Sequence, residues 1–129
     1  MGMPEIWHVN FHTFHNLPVL EPPECDRCVR DALAEIIAIH NIKCLGWELM
    51  PTHCHALSIS FSDMSLGRIM QLPKGGSSKA FFGRFPEHRF DLGGGHLWGS
   101  SHSKVLIATN IQLDRTPAYI RRNRVRADL

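Results

Sequence analysis

The amino-acid sequence predicts an α+β fold, and three observations carry that expectation. Two stretches alternate apolar and polar side chains with the period of two that a half-buried strand requires. A longer stretch between them repeats its apolar residues at helical spacing. Strand-like and helix-like segments then follow one another in the order strand, helix, strand, strand, helix, strand, helix.

The first strand is expected from Ile6 to Phe14, with Trp7, Val9 and Phe11 on one side and His8, Asn10 and His12 on the other. Leu17 to Glu24 holds Pro18, Pro22 and Pro23 and reads as a loop leading into a helix. From about Cys25 to Asn41, Val29, Ala32, Leu33, Ile36, Ile39 and His40 form the apolar stripe of an amphipathic helix that should pack on a sheet. Cys44 to Met50, a turn at Pro51-Thr52 and His53 to Phe61 make a hairpin. In its second strand His53, His55, Leu57, Ile59 and Phe61 share one face, while the small Cys54, Ala56, Ser58 and Ser60 line the other.

Ser62 to Ser65 supplies caps for a helical stretch running to about Phe85, which Pro73 and Gly75-Gly76 are expected to kink or break. Phe90 to Trp98, with three consecutive glycines, is expected to be a flexible loop before a strand from about Lys104 to Thr109. Thr116 and Pro117 then open a last helix to about Arg126. This order describes a split βαβ, ferredoxin-like sandwich with an antiparallel sheet and an extra C-terminal helix.

The chain has 129 residues, 43% hydrophobic, with 3 Trp and 7 Phe, which suits a single domain over residues 1–129 and argues against disorder. No apolar run reaches the roughly 18 residues of a membrane span. Met1 to Val9 lacks a basic segment followed by an apolar one, so a cytoplasmic location is expected, with the 4 Cys as thiols or metal ligands. Net charge is +2 overall but unevenly spread. Residues 1–63 carry 8 acidic and 3 basic side chains (−5), and residues 64–129 carry 4 and 11 (+7). A cationic second half ending in Arg115, Arg121, Arg122, Arg124 and Arg126 suits a polyanion such as nucleic acid, or a solvated helix face.

Chemistry concentrates in two places. His53 and His55 lie two apart on a strand, so their rings project from one face and can share a metal ion. The competing reading is two surface histidines drawn from a supply of 9. Tyr119 is the only tyrosine, and Asn123, four residues on, shares its helix face. A phenol with a pKa of about 10 attacks a phosphate only when a metal polarises the target and cations surround it, which Arg121 and Arg122 could help provide. Alternatively these are a packing tyrosine and a surface asparagine.

Together these segments resemble the HUH-type single-tyrosine transposases of small insertion sequences, which include the REP-associated tyrosine transposases. Trp7-His8-Val9-Asn10-Phe11 through Pro18-Val19-Leu20 resembles the family's first strand and loop, and Glu48 through Leu57 its metal-binding strand. Leu72 through Ser78 resembles its Lys-Gly-x-Ser segment, Leu97-Trp98 and the following strand its next block, and Ala118 through Asn123 its nucleophile helix.

The resemblance implies a DNA strand transferase acting on single-stranded, hairpin-containing ends. His53, His55 and Asn123 would hold a divalent ion, Mg²⁺ or Mn²⁺, and Tyr119 would form a 5′-phosphotyrosine. Lys74, Ser77, Ser78, Lys79, Arg121 and Arg122 would meet DNA. A homodimer is implied, with the tyrosine helix acting in trans. Asn123 stands where the family usually has glutamine, and Phe14-His15-Asn16 replaces basic residues. Two other readings stay open. One is a catalytically inactive hairpin binder of the same fold; the other is a zinc-stabilised nucleic-acid module built on Cys25-Asp26-Arg27-Cys28, with Cys44 or a nearby histidine.

Overall fold

The computed structural model describes residues 5–60, 64–89, 92 and 96–107. Strand β1 (Glu5–Thr13) leads through a short 3₁₀ turn to helix α1 (Pro23–Ile39). The hairpin of β2 (Cys44–Leu49) and β3 (His53–Ser60), helix α2 (Leu66–Arg84) and β4 (Trp98–Leu106) follow. The strands form one sheet in the order β2-β3-β1-β4, every neighbouring pair antiparallel. Each βαβ crossover therefore skips one strand, as the expected split βαβ sandwich requires. The C-terminal helix expected from Pro117 to about Arg126 lies outside the described residues. Among the described residues no helix is long and apolar enough to cross a membrane.

Both helices cover one face of the sheet. Val9 and Phe11 of β1 and Cys54 and Ala56 of β3 meet Cys25, Val29 and Leu33 of α1 and Met70, Phe81 and Phe82 of α2 in one buried cluster. Between the layers remains an apolar cavity of about 30 Å³, lined in part by Phe11, Ile37, Cys54 and Pro73. Helix α1 begins at Pro23, earlier than expected, because proline's fixed φ suits a first turn. Its expected stripe holds at Val29, Ala32 and Leu33 and fails at its end, where Ile39 is 67% exposed and His40 is exposed. The helix closes there and Asn41 turns the chain with a φ of 53°.

Helix α2 departs most from expectation: it runs unbroken through Pro73, Gly75 and Gly76. Tertiary packing outweighs poor helix propensity here. Pro73 is buried against the sheet, and its carbonyl accepts the Ser77 hydroxyl at 2.6 Å. At Gly76 α1 comes so close that a Cβ would push aside the end of the Ile36 side chain. The expected cap is Ser65, whose Oγ accepts from the Arg68 N–H at 3.3 Å.

Strand β4 starts at Trp98, six residues before the expected Lys104, and Leu106 is its last residue. The expected loop therefore closes at Leu97, which is fully buried beside Trp98. Trp98 packs edge-on against Phe11 with ring centroids 4.7 Å apart and donates its indole N–H to Ser77 Oγ at 2.8 Å. These contacts anchor a stretch whose Gly99 and serines alternate no apolar residues.

Candidate functional site

The pleat that sends Val9, Phe11, Cys54 and Ala56 toward the helices sends their alternates to the opposite face. Antiparallel pairing of β1 with β3 sets His12 opposite His53, Asn10 opposite His55 and His8 opposite Leu57. Four imidazoles consequently converge. The His53 and His55 centroids lie 4.6 Å apart with their planes 85° to one another. His8 stacks on His55 at 5.4 Å, and His12 tilts toward His53 at 5.6 Å. Nδ1 of each central ring has a partner: Thr52 Oγ1 lies 3.0 Å from that of His53, and His8 Nε2 lies 3.3 Å from that of His55.

The electrostatics favour neutral rings. Burial lowers the pKa of His8, and burial followed by the nearby His12 lowers that of His53. His55, only 6% exposed, is pushed down to about 4 by burial first and by His53, His8 and His12 after it. At neutral pH these imidazoles keep the lone pairs that a metal takes. Among the described residues no three His, Cys, Asp or Glu are arranged to hold an ion on their own. Two imidazoles on one strand face could supply part of a coordination shell, which oxygen or amide donors would have to complete. Across from His55, the buried Asn10 Oδ1 has no hydrogen-bond partner among the described residues. Glu48 also pairs with His55 in register, but its carboxylate meets Arg30 at 3.2 Å.

The other expected site residues divide. Tyr119, Arg121, Arg122 and Asn123 lie outside the described residues. Lys74, Ser77, Ser78 and Lys79 sit on α2, on the face of the sheet away from the histidines. Lys79 is exposed and Ser78 half-buried. Lys74 donates to the Gly99 carbonyl at 3.0 Å, and burial lowers its pKa. Ser77 is fully buried, donating its hydroxyl to the Pro73 carbonyl and accepting the Trp98 indole N–H. Cys25 and Cys28 have pKa values raised chiefly by burial, so both favour the thiol. His8, His12 and Thr52 join the site without having been expected there. The alternation of β1 already put both histidines on its polar side; the missing information was which strand that side would face.

The split βαβ sandwich is a fold shared with solved structures of transposases. The structure superposes on a candidate transposase from Deinococcus radiodurans with a TM-score of 0.70, at 21% identity over 95% of this chain and 92% of that one. It superposes on the REP-associated tyrosine transposase bound to a REP hairpin with a TM-score of 0.68, at 15% identity over 95% of this chain and 67% of that one. Residues 6–123 match the IS200-like transposase family, and the chain belongs to that family. The ISDra2 transposase TnpA of Deinococcus radiodurans is 27% identical over 82 residues, 64% of this chain. That match spans 59% of the relative's own length.

Proposed function

We propose that this transposase is a metal-dependent strand transferase that cuts and rejoins single-stranded, hairpin-containing DNA ends through a 5′-phosphotyrosine. The observation that carries the reading is the neutral His53–His55 pair on one strand face, inside a family match that continues through Tyr119 to Asn123. The REP-hairpin complex of a protein with the same fold supports hairpin DNA as the partner.

His53 and His55 would hold the divalent ion, with Asn123 and the buried Asn10 Oδ1 as further donors that this chain offers. Bound there, Mg²⁺ or Mn²⁺ supplies Lewis-acid polarisation of a phosphate. The Tyr119 phenol oxygen attacks the scissile phosphorus and loses its proton. A phosphorus–tyrosine oxygen bond forms, the bond to the 3′ oxygen breaks, and that oxygen leaves as a 3′-hydroxyl after taking up a proton. The new bond conserves the energy for rejoining. Arg121 and Arg122 would offset charge near the reacting phosphate, while Lys79 and the rest of the +7 second half would meet the DNA backbone. A homodimer with Tyr119 acting in trans fits a chain whose β4, among the described residues, pairs only with β1 and exposes Val105 and Leu106.

The test is incubation of labelled single-stranded hairpin DNA from the flanks of the gene with protein and Mn²⁺, resolved on a denaturing gel. A covalent adduct is expected from the wild type and none from Tyr119→Phe, which keeps its hairpin affinity. An adduct that survives in Tyr119→Phe overturns the nucleophile. Hairpin binding with no adduct in the wild type makes the protein an inactive binder of the same fold.

A further inference from the structure

We propose that Thr52 and His8 are positioning residues that set the tautomers of His53 and His55, so that both rings offer Nε2 to the same ion. The inference rests on the metal reading above and adds to it the identity of the ligating nitrogen and the side chains that choose it.

A neutral imidazole carries one N–H and one lone pair, and whichever nitrogen holds the proton cannot hold a metal. In both rings of the pair Nδ1 meets a side chain within hydrogen-bonding reach: Thr52 Oγ1 at 3.0 Å for His53, and His8 Nε2 at 3.3 Å for His55. If each Nδ1 carries the proton and donates it along these contacts, both lone pairs lie on Nε2. His8, accepting at Nε2, then carries its own proton on Nδ1, and the chain of assignments is consistent throughout. The reverse assignment, with Thr52 and His8 donating, places a proton on both Nε2 atoms and removes both ligands at once. Metal-bound histidines generally donate their second nitrogen to a fixed partner, and loss of that partner costs about 10- to 100-fold in metal affinity.

Both partners are well anchored. The Thr52 carbonyl accepts the backbone N–H of Thr13 at 2.8 Å and the Thr13 hydroxyl at 3.2 Å, which pins the β2–β3 turn to the end of β1. His8 sits in the middle of β1, between Leu57 and Val105 across the sheet. An unconstrained neutral imidazole prefers its proton on Nε2, so Nδ1–H at two neighbouring rings requires acceptors built to impose it.

Long-range ¹H–¹⁵N correlation on the metal-free wild type reads the tautomers directly, and isothermal titration with Mn²⁺ reads affinity. Nδ1–H is expected at both His53 and His55. Thr52→Val and His8→Phe remove the acceptors while keeping most of the volume; each should move its ring toward Nε2–H and weaken Mn²⁺ binding about 10- to 100-fold. Thr52→Ser and His8→Gln restore an acceptor and should restore both readouts, which a purely steric role would not do. Nε2–H rings in the wild type, or Mn²⁺ affinity unchanged in Thr52→Val and His8→Phe, overturns the inference while leaving the metal site intact. Nδ1–H rings that respond to the variants in a protein that binds no Mn²⁺ uphold the tautomer assignment and overturn the metal reading instead.

Discussion

The two faces of the sheet use the same strands for opposite ends. On the helix-covered face Val9, Phe11, Cys54 and Ala56 are at most 9% exposed and carry no charge. On the other face His8, His12, His53 and His55 crowd within stacking distance of one another. The first arrangement maximises apolar burial and stabilises the fold. The second puts the rings of His8, His53 and His55 where burial depresses their basicity, which costs stability as pH falls and leaves their lone pairs available to a cation. Alternation along one strand thus separates stability from chemistry at neighbouring residues, and substitutions on the two faces should have separable consequences.

The sharpest break is at the histidines. His53→Ala and His55→Ala should each lower DNA cleavage by roughly 10³-fold, the several kcal/mol that a Lewis acid contributes, while hairpin affinity and folding persist. Cleavage near the wild-type rate in either variant removes the metal role. Phe81→Ala on the covered side should do the converse. Its ring is fully buried against Phe82 and Phe85, so truncation should cost about 3–5 kcal/mol in urea denaturation and leave Mn²⁺ affinity of the folded fraction unchanged.

Acid should separate the faces next. His55 is held at about 4 against an ordinary 6.5, chiefly by burial, so between those values the folded protein binds fewer protons than the unfolded chain. Its contribution is complete above pH 6.5 and is lost as the pH falls toward 4, by roughly 3 kcal/mol at most. Urea midpoints measured across that window should fall for the wild type and flatten for His55→Gln. The smallest effect sits within α2. Gly75 is exposed with open space around it, so Gly75→Ala should stabilise by roughly 0.5–1 kcal/mol. Gly76→Ala should lose that gain because Ile36 must move aside. Thermal melts of the two variants settle the order.

What could be read in advance was whatever local periodicity encodes. The alternation in β1 and β3 placed His53 and His55 on one face and Cys54 and Ala56 on the other, and Val29, Ala32 and Leu33 marked the packed side of α1. Helix α2 was misjudged because Pro73 and Gly76 lower its intrinsic propensity, whereas their small or closely fitted shapes let α1 and the sheet approach. The start of β4 was hidden for a related reason: Gly99 and the following serines give no alternation, and the anchor is the distant pairing of Trp98 with Phe11 and Ser77. The site was half legible. Strand β1 contributes His8 and His12 only through its register with β3, a fact of tertiary structure. Thr52 read as a turn residue, since nothing local reveals that its hydroxyl meets His53.

The β1–β3 register makes the gene far less tolerant of length changes than of spelling changes. The ladder runs without interruption from the Glu5–Ser60 pair to the His12–His53 pair. One added or deleted codon inside β3 would exchange its two faces beyond that point, turning imidazoles into the core and thiol and methyl groups outward. Codon substitutions in this strand can be sampled one side chain at a time, but an in-frame insertion damages core and chemistry together. Homologues of this chain should therefore vary in length at their connecting loops and keep the spacing of β3 intact.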